Sequence, residues 1–248
     1  MSGIKDPVYN YPGAGNMFHL FREFMRRSMT AAGVLDQYDW FIITRSDVMY
    51  PLPHPPLDLM SPDHIHSPDG ERYNGFTDRH IVVPRRHIEK VLQISRDVFD
   101  CPEDLARRMK ALNREWNVES FLKFRFGELG LVPFVRFYPY FTYLVRSPGG
   151  HTRWSPGTYN YPLRLYIKYP TELASATILQ ALVRDEHDWK HLMGWRRFLS
   201  WRMYAYAVMR TSWERASMPP RLRALRMLKR FAILMLQPLE TGKLDTLR

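Results

Sequence analysis

The chain has one cysteine, Cys101, in 248 residues. A single thiol excludes an intrachain disulfide framework and any cysteine-rich zinc site, and a reducing compartment is the expected setting. No apolar run is long enough to cross a bilayer, and the N-terminus lacks a basic-then-apolar leader pattern. The expectation is a cytoplasmic protein, soluble or peripheral on the inner face of a membrane. Acid is also short: 25 Asp and Glu stand against 36 Lys and Arg, a net charge of +11. That balance points to an anionic partner, such as a nucleotide, a nucleic acid or an acidic membrane surface. Internal repeats and low-complexity tracts are absent, which excludes solenoids and long disordered linkers.

Apolar and aromatic residues are plentiful. Hydrophobic residues make up 45% and aromatics 14% of the chain, enough for a large core and for stacking surfaces. The chain is organised around Tyr38-Asp39-Trp40-Phe41-Ile42-Ile43-Thr44-Arg45-Ser46-Asp47. Four consecutive bulky apolar residues without polar alternation predict a strand buried on both faces. Its C-terminal end delivers Arg45 and Asp47, the place where an α/β fold builds a site.

Residues 1–15 read as an irregular lead-in. A helix is expected from Asn16 to Gly33, with Phe18, Phe21, Phe24 or Met25, Met29 and Ala32 inward and Arg22, Arg26 and Arg27 outward. Six prolines in 51–70 predict a stiff extended loop. Within it, Asp63-His64-Ile65-His66 suits a short strand. His64 and His66 would share a face, as a two-histidine metal site or, more ordinarily, as exposed polar residues. A turn at Asn74-Gly75 leads into the β-branched run Ile81-Val82-Val83. Pro84 opens a helix burying Ile88, Val91, Leu92, Ser95 and Phe99, and a short helix spans Pro102 to Leu112. Asn117 caps a further helix with Phe121, Leu122, Phe126 and Leu129 inward and Gly130 at its end. Strands are expected at Leu131–Tyr138 and Tyr140–Val145, then a loop over 146–162. The fold class is α/β, a mixed sheet flanked by helices over 1–150. An aromatic, helical and basic region follows over 151–248, with Trp189, Trp195, Trp201 and Trp213. Its last helix carries Arg221, Arg223, Arg226, Lys229 and Arg230 opposite Leu222, Leu225, Leu228 and Met235. That pattern suits an interfacial helix on anionic headgroups over 219–236, or a packed helix with a solvated basic face.

Three acids stand out. Asp47 at a strand end suits Mg²⁺ or Mn²⁺, and Arg45, on the same face of an extended chain, suits a phosphate. The plainer reading is a structural Arg45–Asp47 pair closing the loop. Asp78-Arg79 is a second acid–base pair, and Glu119 is a third acid in a helix first turn. Transfer at an anomeric carbon needs positive charge on the leaving diphosphate and a carboxylate to deprotonate the acceptor hydroxyl. These residues suit those tasks, though Asp78 also suits a turn and Glu119 a helix start.

The stretches YDWFIITRSDVMYPLP, YNGFTDRHIVVP and NVESFLKFRFGELGL, in that order, resemble a family of bacterial and viral glycosyltransferases for surface polysaccharide. The matching residues are Tyr38, Asp39, Arg45 and Asp47, then Gly75 and Asp78, then Asn117 and Glu119, over about residues 16–145. The resemblance implies a GT-A-like fold, a nucleotide-sugar donor, and a glycan or lipid-linked acceptor. It implies Asp78 and Glu119 as catalytic carboxylates and Arg45, Asp47 and Arg79 as donor-binding residues. Asp47 holds the place of the last acid in an Asp-x-Asp metal motif, which implies Mn²⁺ or Mg²⁺. Arg45 replaces the first acid, so that an arginine stands where a cation would neutralise the diphosphate. Only 37 residues precede Tyr38, so the nucleotide-binding unit of such a fold is expected to be incomplete. Two other readings follow from the residues: a non-catalytic membrane-peripheral subunit of a glycan assembly complex, and a basic nucleic-acid-binding protein. The second lacks any recognised nucleic-acid motif.

Overall fold

The structure, a computed structural model, describes residues 16–69, 72–73, 75–113, 116–146, 157–183 and 186–194. The last basic helix expected at 219–236, Trp195, Trp201 and Trp213, and the lead-in 1–15 lie outside the described residues. The protein is α/β, with helices and mixed sheets. The chain divides into two compact units. Residues 1–48 and 54–140 form the first, and residues 49–53 and 141–248 form the second.

The first unit opens with helix α1 (Asn16–Ala31). Gly33, at φ 61°, turns the chain after it in a left-handed conformation that a side chain would disfavour. Then come β1 (Trp40–Thr44), the two-residue β2 (Val48–Met49) at the unit boundary, β3 (Ile65–Asp69) and β4 (His80–Pro84). Helices α2 (Arg85–Leu92), α3 (Arg96–Asp100), α4 (Pro102–Ala111) and α5 (Val118–Glu128) follow, then β5 (Val135–Pro139). The sheet order is β1-β4-β3-β5, with β1 and β3 antiparallel to β4 and β3 parallel to β5. The core under this sheet gathers Phe41, Ile65, Ile81 and Val83 with Ile88, Val91 and Leu92 of α2 and Phe121, Leu122 and Phe126 of α5.

Several expectations are corrected here. β1 is an edge strand, not a strand buried on both faces: Phe41 points into the core but Ile42 is 45% exposed. The strand buried on both faces is β4, which has a neighbour on either side. An uninterrupted apolar run cannot by itself say which of two strands takes the sheet edge. On α1 the inward face differs from the expected one. Phe18, Met25 and Met29 pack on the core, yet Phe21 and Phe24 are exposed while Arg22 and Glu23 are buried. The short strand expected at 63–66 begins at Ile65 and runs on to Asp69, so β3 is interior and Pro68 lies within it. β4 is paired to it in register only around His66↔Val82, so the missing N–H is tolerated. His66 is buried, not exposed, with Nε2 at 2.9 Å from the Ser61 carbonyl. Phe99 is 37% exposed, because the helix expected through it breaks at Gln93–Ser95 into a 3₁₀ turn and restarts as α3. Residues 132–134 form another 3₁₀ turn ahead of β5, and Pro139 ends that strand.

The second unit holds β6 (Tyr143–Arg146), β7 (Thr158–Asn160) and β8 (Leu165–Ile167), in the sheet order β2-β6-β8-β7. Part of the loop expected at 146–162 is thus strand. Helix α6 (Pro170–Leu182) starts at a proline in its first turn, and α7 (Glu186–Gly194) follows. Trp189 is fully buried against Phe141, with ring centroids 5.9 Å apart. Among the described residues, no helix is long and apolar enough to cross a membrane.

Candidate active site

The site grows out of one strand pairing. The antiparallel register sets Thr44 opposite His80. The next residue, Arg45, continues the ladder through its N–H to the Arg79 carbonyl at 3.0 Å, and the Thr44 hydroxyl donates to that carbonyl at 3.2 Å. The end of β1 is thereby held against the start of β4. Arg45 and Asp78, 33 positions apart in sequence, become neighbours.

The Arg45 guanidinium lies at the centre. Its Nε and Nη2 donate to the two oxygens of Asp47, at 2.9 and 2.6 Å, in a bidentate fork. Its Nη1 donates to Asp78 Oδ2 at 2.8 Å. One cation therefore serves two carboxylates. Burial pulls the Arg45 proton affinity down, but the hydrogen bonds and charges of Asp47 and Asp78 more than offset it and hold the pKa above the usual arginine value. The cluster opens to solvent through Arg45 and Asp47, which are 33% and 26% exposed, while Asp78 is more deeply set at 11%.

The other residues take these places. Glu119 lies in the first turn of α5, whose start is a capping box: the Asn117 side chain accepts from the Ser120 N–H at 2.7 Å, and the Ser120 hydroxyl meets the Asn117 N–H at 2.9 Å. The Glu119 carbonyl accepts from the Phe76 N–H at 3.0 Å. A Cβ on Gly75 would sit 1.9 Å from that same carbonyl oxygen, so only glycine lets the loop before Asp78 pass so close to α5. The fold thus ties the Glu119 backbone to the segment that carries Asp78. Arg79 goes inward: it is buried and its Nη1 reaches the Tyr140 hydroxyl at 3.3 Å.

Asp47 was the expected metal ligand. Both its oxygens are occupied by the Arg45 fork, and among the described residues no group of three or more His, Cys, Asp or Glu side chains could hold a metal ion.

Two features of this region carry no signal in the hydrophobic pattern. His80, the first residue of β4, is buried beside His54, with the two Nε2 atoms 3.2 Å apart. His54 Nδ1 lies 2.6 Å from the Pro55 carbonyl, which can only accept, so the proton is on Nδ1. His54 Nε2 is then the acceptor and His80 Nε2 the donor. Burial, and then the His54 ring, lower the His80 pKa to about 3; burial lowers His54 as well, against the pull of the Pro55 carbonyl. The second feature is Arg22. It is 5% exposed, with its guanidinium 5.0 Å over the Phe18 ring, and its Nη1 is buried without a hydrogen-bond partner. Burial lowers its pKa to about 10, against the opposing charge of Asp78.

A separate cavity of about 220 Å³ lies beside Cys101, between α3 and α5. Its charges are consumed in ion pairs: Asp97 accepts from Arg125 at 2.6 Å and from Arg108 at 2.7 Å. That network fastens α3, α4 and α5 together. No family model, no curated protein and no solved structure matches the chain.

Proposed function

We propose that the protein is a glycosyltransferase that moves a sugar from a nucleotide-sugar donor to a glycan or lipid-linked acceptor in surface polysaccharide synthesis. The observation that carries this reading is the Arg45 guanidinium held between Asp47 and Asp78 at the paired ends of β1 and β4. It sets a fixed cation with bidentate geometry beside a deep carboxylate, at an opening to solvent. Arg45 takes the donor diphosphate and Asp47 holds the fork in orientation. Asp78 or Glu119 accepts the proton of the acceptor hydroxyl. The hydroxyl oxygen bonds to the anomeric carbon, the bond from that carbon to the diphosphate breaks, and the electron pair leaves with the nucleoside diphosphate. Arginine charge stabilises that leaving group in the role a cation fills elsewhere. The net charge of +11 supports an anionic donor and a cytoplasmic site on an anionic membrane surface, where lipid-linked acceptors reside.

The test is transfer and donor hydrolysis with a panel of sugar nucleotides, with and without Mn²⁺, comparing wild type and Asp47→Ala. Turnover with one donor, lowered at least tenfold in Asp47→Ala, is expected. Absence of binding to every donor, with and without the metal, overturns the reading. Flotation on anionic liposomes, with and without residues 219–248, tests the membrane setting.

A further inference from the structure

We infer that the β7–β8 hairpin of the second unit is a membrane contact, whose tip Tyr161-Pro162-Leu163-Arg164 enters the interface of a bilayer that carries anionic lipid. The inference deepens the membrane setting proposed above and does not depend on the transfer reaction. Strand register gives the hairpin two faces. Leu165 and Ile167 pack into the core of the unit with Tyr143, Leu173 and Ala176. On the other face Tyr159 pairs with Tyr166 across the strands, with ring centroids 5.0 Å apart. Tyr161 stands edge-on to Tyr159 at 4.9 Å. Gly157, at φ 87°, lets β7 begin close against the Ile167 carbonyl, where a Cβ would come within 2.7 Å. Exposure is greatest at the tip: Tyr159 is 37% exposed, Leu163 43% and Tyr161 81%.

Backbone, side chains and charge at the tip all suit a bilayer interface. The backbone donors of the turn are already filled. Pro162 has no N–H, the Leu163 N–H donates to Asn160 Oδ1 at 3.0 Å, and the Arg164 N–H donates to the Tyr161 carbonyl at 3.3 Å. Leaving water therefore costs those groups little. Leucine gains from the acyl boundary, and tyrosine places its ring there with its hydroxyl among the headgroups. The charge is of one sign. No Asp or Glu occurs between Glu128 and Glu172 in the sequence, and Glu172 is buried. Arg146 ends β6, Arg164 closes the turn and Lys168 follows β8. Such a surface attracts anionic headgroups. Arg164 sits at φ 53°, where glycine or asparagine is the ordinary residue. A turn that served shape alone would have no use for an arginine there. Leu163 offers neither a flat ring nor a hydrogen-bonding group to a sugar or a base, so the tip favours lipid over a glycan or a nucleic acid.

The experiment is flotation of the full chain on vesicles of phosphatidylcholine alone and of phosphatidylcholine mixed with phosphatidylglycerol. Wild type is expected to float on the mixed vesicles and poorly on the neutral ones; equal binding to both overturns the proposal. The variant is Tyr161→Ser with Leu163→Ser. It removes the apolar tip and leaves the charge, Asn160 and Pro162 in place. Its binding to mixed vesicles is expected to fall by about tenfold or more. Binding equal to wild type overturns the proposal. A second measurement serves if that variant fails to fold. Leu163→Cys is made with the exposed Cys101 changed to serine, and labelled with an environment-sensitive dye. Its emission is expected to shift to the blue on mixed vesicles and to be quenched by spin-labelled lipid; a dye that stays in water overturns the contact. Flotation lost on removing residues 219–248 but untouched by the tip variant leaves that segment as the anchor and overturns the hairpin. Unchanged flotation with loss of single-stranded oligonucleotide binding in the tip variant assigns the face to nucleic acid and overturns the lipid contact. Tip-dependent flotation of a chain that binds no sugar nucleotide leaves the hairpin standing and removes the transfer reading. Wild type that floats on neither vesicle overturns both the hairpin and the membrane setting.

Discussion

Arg45 holds its two carboxylates by shape as well as by charge. The planar fork matches Asp47, and the remaining nitrogen reaches Asp78. Arg45→Met leaves two acids without their shared cation, one of them deeply set. A loss of about 1–3 kcal/mol is expected in urea unfolding. Arg45→Lys is expected to recover less than half of it, because a point ammonium cannot replace the fork. The sequence already offered Arg45 and Asp47 as a pair, since alternate residues of an extended chain share a face. It offered Asp78 as an acid paired with Arg79 and as a candidate carboxylate of the site, but not as a partner of Arg45. Arg22 was illegible: it falls among Phe21 and Phe24, and an apolar stripe drawn through those rings puts the arginine outside. The structure reverses them, leaving Phe21 58% and Phe24 65% exposed. Polar burial is decided by which surfaces pack together, and a local pattern does not contain that.

Between elements, two contacts position the site. Where the loop before Asp78 crosses α5, Gly75→Ala forces a Cβ into the Glu119 carbonyl. One backbone must shift. About 1–3 kcal/mol is expected to be lost in thermal or urea unfolding, with Asp78 displaced as well. The pairing of β1 with β4 gives a second expectation. β1 is an edge and β4 is interior, so Ile42→Thr is expected to change stability by no more than about 0.5 kcal/mol. Val82→Ala, at a fully buried position, is expected to cost about 2 kcal/mol. Equal effects in chemical unfolding would contradict the sheet order. The α5 start was legible in sequence because an N-cap is local: Asn117 reaches the N–H three residues on. The strand β3 was legible only at its start, Ile65-His66, because Pro68 reads as a breaker; pairing with β5 carries the strand on to Asp69.

Across the first unit, two buried histidines set the acid response. Burial, then the charge of Arg22, lowers the His19 pKa to about 4; burial, then His54, lowers that of His80 to about 3. Both are neutral in the folded protein and take a proton near pH 6.5 once unfolded. The unfolded state therefore binds more protons below pH 6.5, and folding stability falls as the pH falls from there toward 4. Each group is expected to contribute a slope of about 1.4 kcal/mol per pH unit. Urea unfolding at pH 7, 6 and 5 checks this, and His80→Gln is expected to lower the slope. Glu23 acts lower. Its hydrogen bond with Arg26 holds its pKa near 2 against burial, so its contribution is lost only as the pH falls below about 4.5.

The sequence alone determined the class of fold, most of the helices, and the order of the three acid-bearing segments. Periodicity, caps and β-branched runs are local, and they act wherever the chain goes. It also set Arg45 and Asp47 on one face as alternate residues of an extended segment. Tertiary structure decided the rest. Pairing made β1 an edge, and the register of β1 against β4 put Asp78 on the same guanidinium as Asp47. Packing of α1 buried Arg22 and left Phe21 and Phe24 exposed. These are relations between residues far apart in the chain, set by which surfaces exclude water together, and no window of sequence contains them.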